Sequence, residues 1–291
     1  MLRNVLTLIS VGLIWGSQFI VMHSALAEFS PLWVGTIRSI IGALSLVVIC
    51  RTLKLSGSMS QWRLFALIGL LEGAIPFVLI PWGQQHLASS IAAILMGTMP
   101  FYATLLAPIL IKGARIAANQ WLSVTIGFVG LLVLFYPKLS QGVGDIDILS
   151  SLAIVVAATC FALALLLLSR VKAEHPIVVA RNSLIASSVL LIVVSPILSA
   201  PPHWHTISTD GGLSLLYLGV VCAGVVDYLY MLLLKNAGAV FASMANYIVP
   251  AVGVIIGAAI NHEVIRTTTW AALLIILSAL AVNQLLAKKP T

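Results

Sequence analysis

The sequence predicts an all-α polytopic membrane protein with ten transmembrane helices, arranged as two inverted five-helix repeats. Three observations carry this. First, of 291 residues 61% are hydrophobic and only 8% charged, whereas soluble domains carry about 25% charged residues. Second, mostly apolar windows fall near 4–22, 31–50, 64–83, 88–111, 119–136, 148–169, 177–198, 212–234, 240–260 and 269–287. About 20 residues at 1.5 Å rise cross a 30 Å hydrocarbon layer. These runs do not alternate as barrel strands do, and a bilayer offers no partner to unpaired backbone groups, so helices are expected. Third, the chain repeats itself at an offset near 150 residues.

Taken in order, the first window follows Arg3 and precedes "ALA" at 25–27, which imitates a signal-peptide cleavage site. Its apolar stretch is longer than a signal core and contains Trp15, Gly16 and Gln18, so it reads as a retained first span. Span 2 carries Arg38 in "VGTIRSII", about seven residues in from the outer end. Span 3, "LIGLLEGAIPFVLIPWG", has a single charge, Glu72. Spans 3, 4 and 9 hold Pro76, Pro81, Pro100, Pro108 and Pro250. Each proline frees a carbonyl and bends its helix, serving either as a hinge (Pro76, Pro100 and Pro250 foremost) or as a kink that helps the helices fit together. Span 8 carries Asp227 in "GVVDYLYM". Ten spans and short links use nearly the whole chain, leaving no room for an extramembrane catalytic unit.

Basic residues set the expected orientation. With the N-terminus inside, Arg3, Arg51, Lys54, Arg63, Lys112, Arg115, Arg170, Lys172, Arg181, Lys235, Lys288 and Lys289 fall at cytoplasmic ends, and only Lys138 and Arg266 fall outside. That asymmetry predicts cytoplasmic termini, and it accounts for the pI near 9.6 without nucleic acid as a partner. Cys50, Cys160 and Cys222 are single and far apart, so no disulfide or metal framework is readable from them.

The repeat is visible in several places. "LASSIAAILMGTMPFYATLLAPILI" (87–111) matches "AGAVFASMANYIVPAVGVIIGAAI" (237–260), aligning Pro100 with Pro250, and upstream Gly69 aligns with Gly219. Two units, 1–138 and 139–291, are expected. Each has five spans, an odd number, so the second must enter the membrane from the opposite side. Inverted repeats are the architecture of many secondary transporters, which hold substrate near the midplane between the repeats.

The pattern resembles the drug/metabolite transporter superfamily, and within it the EamA branch of ten-helix bacterial exporters. The resemblance rests on "LIWGSQFIV", "LLEGAIPFVLIPWGQQHLASSIAAILMGTMPFY" and "LGVVCAGVVDYLYMLLLKNAGAVFASMANYIVPAVGVIIGAAINHE". It implies export of amino acids or similar small metabolites across the bacterial inner membrane by alternating access, without a cofactor. It also implies a cavity lined mainly by helices 1, 3, 4, 6, 8 and 9. The family pattern has a Gly-Glu pair ending helices 4 and 9. Here His262-Glu263 keeps the acid while Gly113-Ala114 lacks it.

The candidate site follows from polar residues inside spans. Glu72, nine residues past Arg63, lies about 13 Å deep. A charge at that depth costs about 2.5–3.5 kcal/mol unless it meets water or a partner. Glu72 either faces a cavity, meeting an ammonium or carrying a proton, or is hydrogen-bonded between helices. Asp227 comes from the repeat-partner span, with Lys235 a possible salt-bridge partner. Arg38 either neutralises an acid, binds a substrate carboxylate or snorkels outward, and pairing with an acid is the favoured expectation. Ser243, Asn246, Tyr247 and Pro250 share one face of span 9, either as cavity lining or as polar glue between helices. Met96, Gly97, Pro100, Phe101 and Thr104 form a similar stripe on span 4. Trp15 and Gln18 could reach the same space. His203 and His205 lie in an outer loop and carry no further ligand signal.

Small amphipathic solutes, amino acids first, suit such a set. A proton-coupled extruder of lipophilic cations is the alternative. No catalytic constellation is visible, which argues against an enzyme. The protein is expected to work as a monomer or homodimer in the bilayer.

Overall fold

The computed structural model describes residues 2–57, 60–141, 147–168, 170–171, 174–203, 205, 207–242 and 244–285. Among these no strand occurs, and the helices form ten consecutive spans. These are α1 (Leu2–Leu26), α2 (Pro31–Thr52), α3 (Trp62–Gln84), α4 (Ser89–Leu110), α5 (Ala118–Gln141), α6 (Ile148–Leu168), α7 (Pro176–Leu198), α8 (209–242), α9 (Ala245–Ile260) and α10 (Thr267–Leu285). Eight are long and apolar enough to cross a membrane, while α9 and α10 contribute the shorter apolar stretches Ile248–Ile260 and Thr267–Val282. Leu44, Val48, Phe128, Val193, Ile197 and Leu274 are exposed on the outside of the bundle, where lipid rather than water is their natural solvent. The sequence windows match these bounds within a few residues except at 240. There α8 continues to Ala242, and α9 begins only at Ala245.

Three spans depart from plain α-helix. In α3, Trp62–Gly69 passes through a π segment, Leu70–Ala74, into Pro76–Gln84. The Ile75 N–H reaches back to the Leu70 carbonyl at 3.0 Å. Pro76 has no N–H for the Glu72 carbonyl four residues earlier, so the wider turn falls where the α-ladder is already interrupted. Its repeat partner α8 has the corresponding π segment, Tyr217–Val225, without a proline to prompt it. The span α4 breaks at Gly97–Thr98, and its second part, Met99–Leu110, starts with Pro100 in its first turn, where a missing N–H costs least.

Packing across the chain halves is antiparallel between equivalent spans. Ser39 of α2 bonds Ser187 and Ser188 of α7, while Thr36 bonds Ser195 and Ser30 bonds Ser199. Gly97 of α4 lies on Pro250 of α9, and Ala93 lies on Gly253. Ser123 of α5 donates to Ala279 O of α10, and Gly130 packs on Ala272 and Ile276. In each pair one number rises as the other falls, as a half-turn about an axis in the membrane plane requires. The aligned glycines behave alike too. Gly69 sits on α7 at Ser183, and Gly219 sits on α2 at Arg38 and Ile41. The turns after α4 and α9 both use positive φ, at Gly113 (85°) and His262 (52°).

A candidate central cavity

Where the two halves meet, a cavity of about 130 Å³ opens at the middle of the spans, enough for several waters or part of a small solute. Its walls come from α1 (Trp15, Gln18, Phe19), α3 (Glu72, Phe77, Ile80), α4 (Met96, Gly97, Met99), α6 (Phe161, Leu165, Leu168), α8 (Cys222, Asp227, Tyr230, Met231) and α9 (Asn246, Val249). Arg38 of α2 and Leu184 of α7 complete it. Those two spans were not among the six the resemblance implied.

The π segments explain how the polar residues converge. Glu72 and Phe77 are five apart and both face the cavity, as do Cys222 and Asp227. Residues five apart diverge on an α-helix but come back into register across the wider π turn. Each repeat thus aims one acid inward from the equivalent span. Among the described residues neither carboxylate has a hydrogen bond or a close ion pair, though Asp227 feels the charges of Glu72 and Arg38. Asp227 makes no salt bridge with Lys235, which is exposed.

Arg38 differs from its expected role. Its Nη2 donates to Gln18 Oε1 at 2.6 Å and to the Cys222 carbonyl at 3.1 Å, and its guanidinium lies 4.2 Å over the Phe77 ring. Among the described residues no acid reaches it within salt-bridge distance, although Asp227 lies near enough to attract its charge. The reason is geometric: the neutral Gln18 and a carbonyl in the π segment of α8 occupy the places a carboxylate would take.

Trp15 stacks at a tilt on Tyr230, centroids 5.1 Å apart, forming an aromatic side wall. Met96 and Asn246 border the cavity as expected. Phe101 does not border it. Its ring lies against Gly127 of α5, where any side chain would collide with it, and it belongs to the buried core. Thr104 bonds Pro100 O on its own helix. Ser243 lies outside the described residues, and Tyr247 is described only as part of the α9 backbone. Among the prolines, Pro76 follows the π segment, Pro100 opens the second part of α4, and Pro250 is inside α9 against Gly97. Sequence reasoning missed Tyr230, Phe77, Phe161 and Cys222. Tyr230 had a readable signal, because it lies three residues after Asp227 on the same helical face.

At one end of the bundle a set of hydrogen bonds closes the spans together. Glu28 accepts from Ser208 N at 2.7 Å and from Ser208 Oγ at the start of α8. Trp33 Nε1 donates to Ala200 O at 2.8 Å. Glu263 accepts from Ser89 N and Ser90 N at 2.8 and 3.1 Å, so a carboxylate caps the first turn of α4. Gly257 makes room for it, since a Cβ there would lie 2.7 Å from Glu263 Oε2. Ala114, at the matching place in the first half, has no carboxylate to offer. Gln84 Nε2 and Ser89 Oγ both donate to the Phe19 carbonyl. At the other end the cavity reaches Leu168, the last residue of α6.

An all-helical, membrane-spanning bundle with a mostly apolar cavity that holds two acids and an arginine at its centre is an architecture suited to membrane transport, and the comparisons with known proteins bear on it. The EamA-like transporter family matches the chain twice, over residues 2–136 and 148–284, and the chain belongs to that family. It is similar to "Uncharacterized transporter YoaV" of Bacillus subtilis (strain 168), 26% identical over 97% of each chain. It is also similar to "Uncharacterized inner membrane transporter YedA" of Escherichia coli (strain K12), 24% identical over 96% of this chain and 89% of that one. A solved crystal structure with 16% identity covers 98% of both chains at a TM-score of 0.70, which supports the fold alone.

Proposed function

We propose that this protein exports small amphipathic metabolites, amino acids foremost, across the bacterial inner membrane by alternating access between its two inverted halves. The observation that carries the reading is the central cavity. It gathers two carboxylates from equivalent spans, neither hydrogen-bonded among the described residues, beside aromatic and thioether walls. Such a lining offers a place for an ammonium group and another for an apolar side chain. The family membership and the printed name of the Escherichia coli relative support transport at an inner membrane.

The closed end at Glu28, Trp33 and Glu263, set against the reach of the cavity to Leu168, supports one stage of the cycle. In it the site faces the side where α1 begins. With the basic residues at that side, the termini are cytoplasmic and this stage loads solute from inside the cell. Moving to the other stage requires the Glu28–Ser208 and Trp33–Ala200 contacts to part while the end near Leu168 closes. Pro76, Pro100 and Pro250 are the proposed flexing points.

The two free acids also suit a proton-coupled extruder of lipophilic cations. Counterflow into proteoliposomes holding the full chain separates the readings. Preloaded with unlabelled amino acids, they should accumulate the same labelled amino acids above protein-free controls. Accumulation of a cationic dye with no amino-acid counterflow would favour the extruder, and neither would reject transport of both classes.

A further inference from the structure

We infer, on top of the transport reading above, that Arg38 docks the carboxylate of the transported solute, so that the site selects zwitterions over simple amines. Arg38 is 3% exposed, yet it borders the cavity. A guanidinium stays charged at any working pH and has five N–H donors. Nη2 is taken up by Gln18 Oε1 and the Cys222 carbonyl. Nε and Nη1, which hold the other three donors, have no partner among the described residues. One face of the group is covered by Phe77.

Burying these donors without acceptors is costly, because their desolvation is not offset by hydrogen bonds. Asp227 attracts the guanidinium from a distance, yet no carboxylate among the described residues bonds it. Two neutral oxygens and a ring hold the guanidinium in place and leave Nε and Nη1 without an acceptor. Gln18 is oriented by the same bond. Its carbonyl points at Arg38, and its amide N–H groups take no protein partner, so they form a second donor for an entering oxyanion. A carboxylate that binds Arg38 supplies the acceptors that Nε and Nη1 lack, in charge-assisted hydrogen bonds.

The solute's other charge meets the two acids that line the same cavity. An α-amino acid satisfies both poles, with its carboxylate at Arg38 and Gln18 and its ammonium toward Glu72 and Asp227. An amine leaves Arg38 unpaired. An amino acid ester does the same while keeping size and shape. Discrimination by a missing buried partner is steep, and loss of charge-assisted hydrogen bonds amounts to roughly 10- to 100-fold in apparent affinity.

The test uses the full chain in proteoliposomes. Counterflow of a labelled mixture of natural amino acids first identifies the one that accumulates most. Its methyl ester and its decarboxylated amine are then used as unlabelled competitors. The expected result is that the free amino acid competes roughly 10- to 100-fold better than either analogue. Arg38→Gln should raise the half-saturating amino-acid concentration by a similar factor, and Arg38→Lys should recover part of it. Competition by ester and amine equal to that by the amino acid overturns the Arg38 assignment while leaving the transporter reading intact. So does an Arg38→Gln protein with unchanged half-saturation. Absence of any amino-acid counterflow overturns both. Should the Arg38 variants fail to fold, the wild-type comparison of acid with ester decides alone.

Discussion

Replacing Gly97 by alanine tests a close crossing of α4 and α9. A Cβ at Gly97 would lie 2.4 Å from Pro250 Cγ and 3.2 Å from the Ile94 carbonyl oxygen. Carbon atoms in contact prefer about 3.5–4.0 Å, so the two helices must part by roughly 1 Å. Pro250 is a ring and cannot rotate its Cγ away, and the Ile94 oxygen belongs to the backbone. Overpacking of this kind costs about 1–3 kcal/mol. Alanine's better helix propensity returns up to about 1 kcal/mol, because Gly97 has ordinary helical dihedrals, φ −61° and ψ −13°. The expected net loss is about 1–2 kcal/mol. Gly212, in the first turn of α8, has nothing within 4 Å. Gly212→Ala should therefore be neutral or stabilising by up to about 1 kcal/mol. Thermal unfolding of the two purified variants beside the wild type measures both. If Gly97→Ala melts at or above the wild type, as Gly212→Ala is expected to, α4 and α9 do not cross at this distance and the close contact of the halves is wrong.

Removing the cap of α4 by Glu263→Ala should lower stability by about 1–2 kcal/mol, read as a drop in melting temperature. His175, which caps α7 through Nδ1 from outside the span, is held below its ordinary value of 6.5 by burial and by the charge of Lys235. The unfolded chain therefore takes up a proton first, so stability should fall as pH drops below about 6.5 and level off below the folded-state value. His175→Asn should flatten that part of the melting-temperature profile. Cysteines placed at His203 and at Lys54 report orientation in intact cells. An impermeant thiol reagent should reach the first and not the second, and the reverse pattern would invert the proposed topology.

The outline of the fold was legible because the bilayer demands it: ten apolar runs, punctuated by basic residues on one side, leave few alternatives. The 150-residue offset also pointed to the partners that meet, Pro250 with the helix of Pro100. The site was legible in part. Glu72, Asp227, Arg38 and Gln18 stood out because polar residues inside a span need a reason to be there. The partner of Arg38 was not legible, since charge alone suggests an acid and only the packing of α1, α2 and α8 brings Gln18 and a carbonyl to it. Phe101 was misplaced because the break at Gly97–Thr98 rotates the second part of α4, so helical spacing cannot be carried across it. Phe77 and Cys222 were missed for the related reason that π segments shift the register by which faces are read.

The role of Glu72 is the centre of this account, and Glu72→Gln tests it most directly, because it keeps shape and much of the hydrogen bonding while removing the charge. An acid placed about 13 Å deep without a protein partner is worth its insertion cost only if solute or proton meets it there. Counterflow of the amino acid carried best by the wild type should be measured with the variant between about pH 5.5 and 8, with expression and melting temperature followed in parallel. The expected result is a folded protein of near wild-type melting temperature whose transport is lost or no longer varies with pH. A Glu72→Gln protein that transports at the wild-type rate across that range would contradict it.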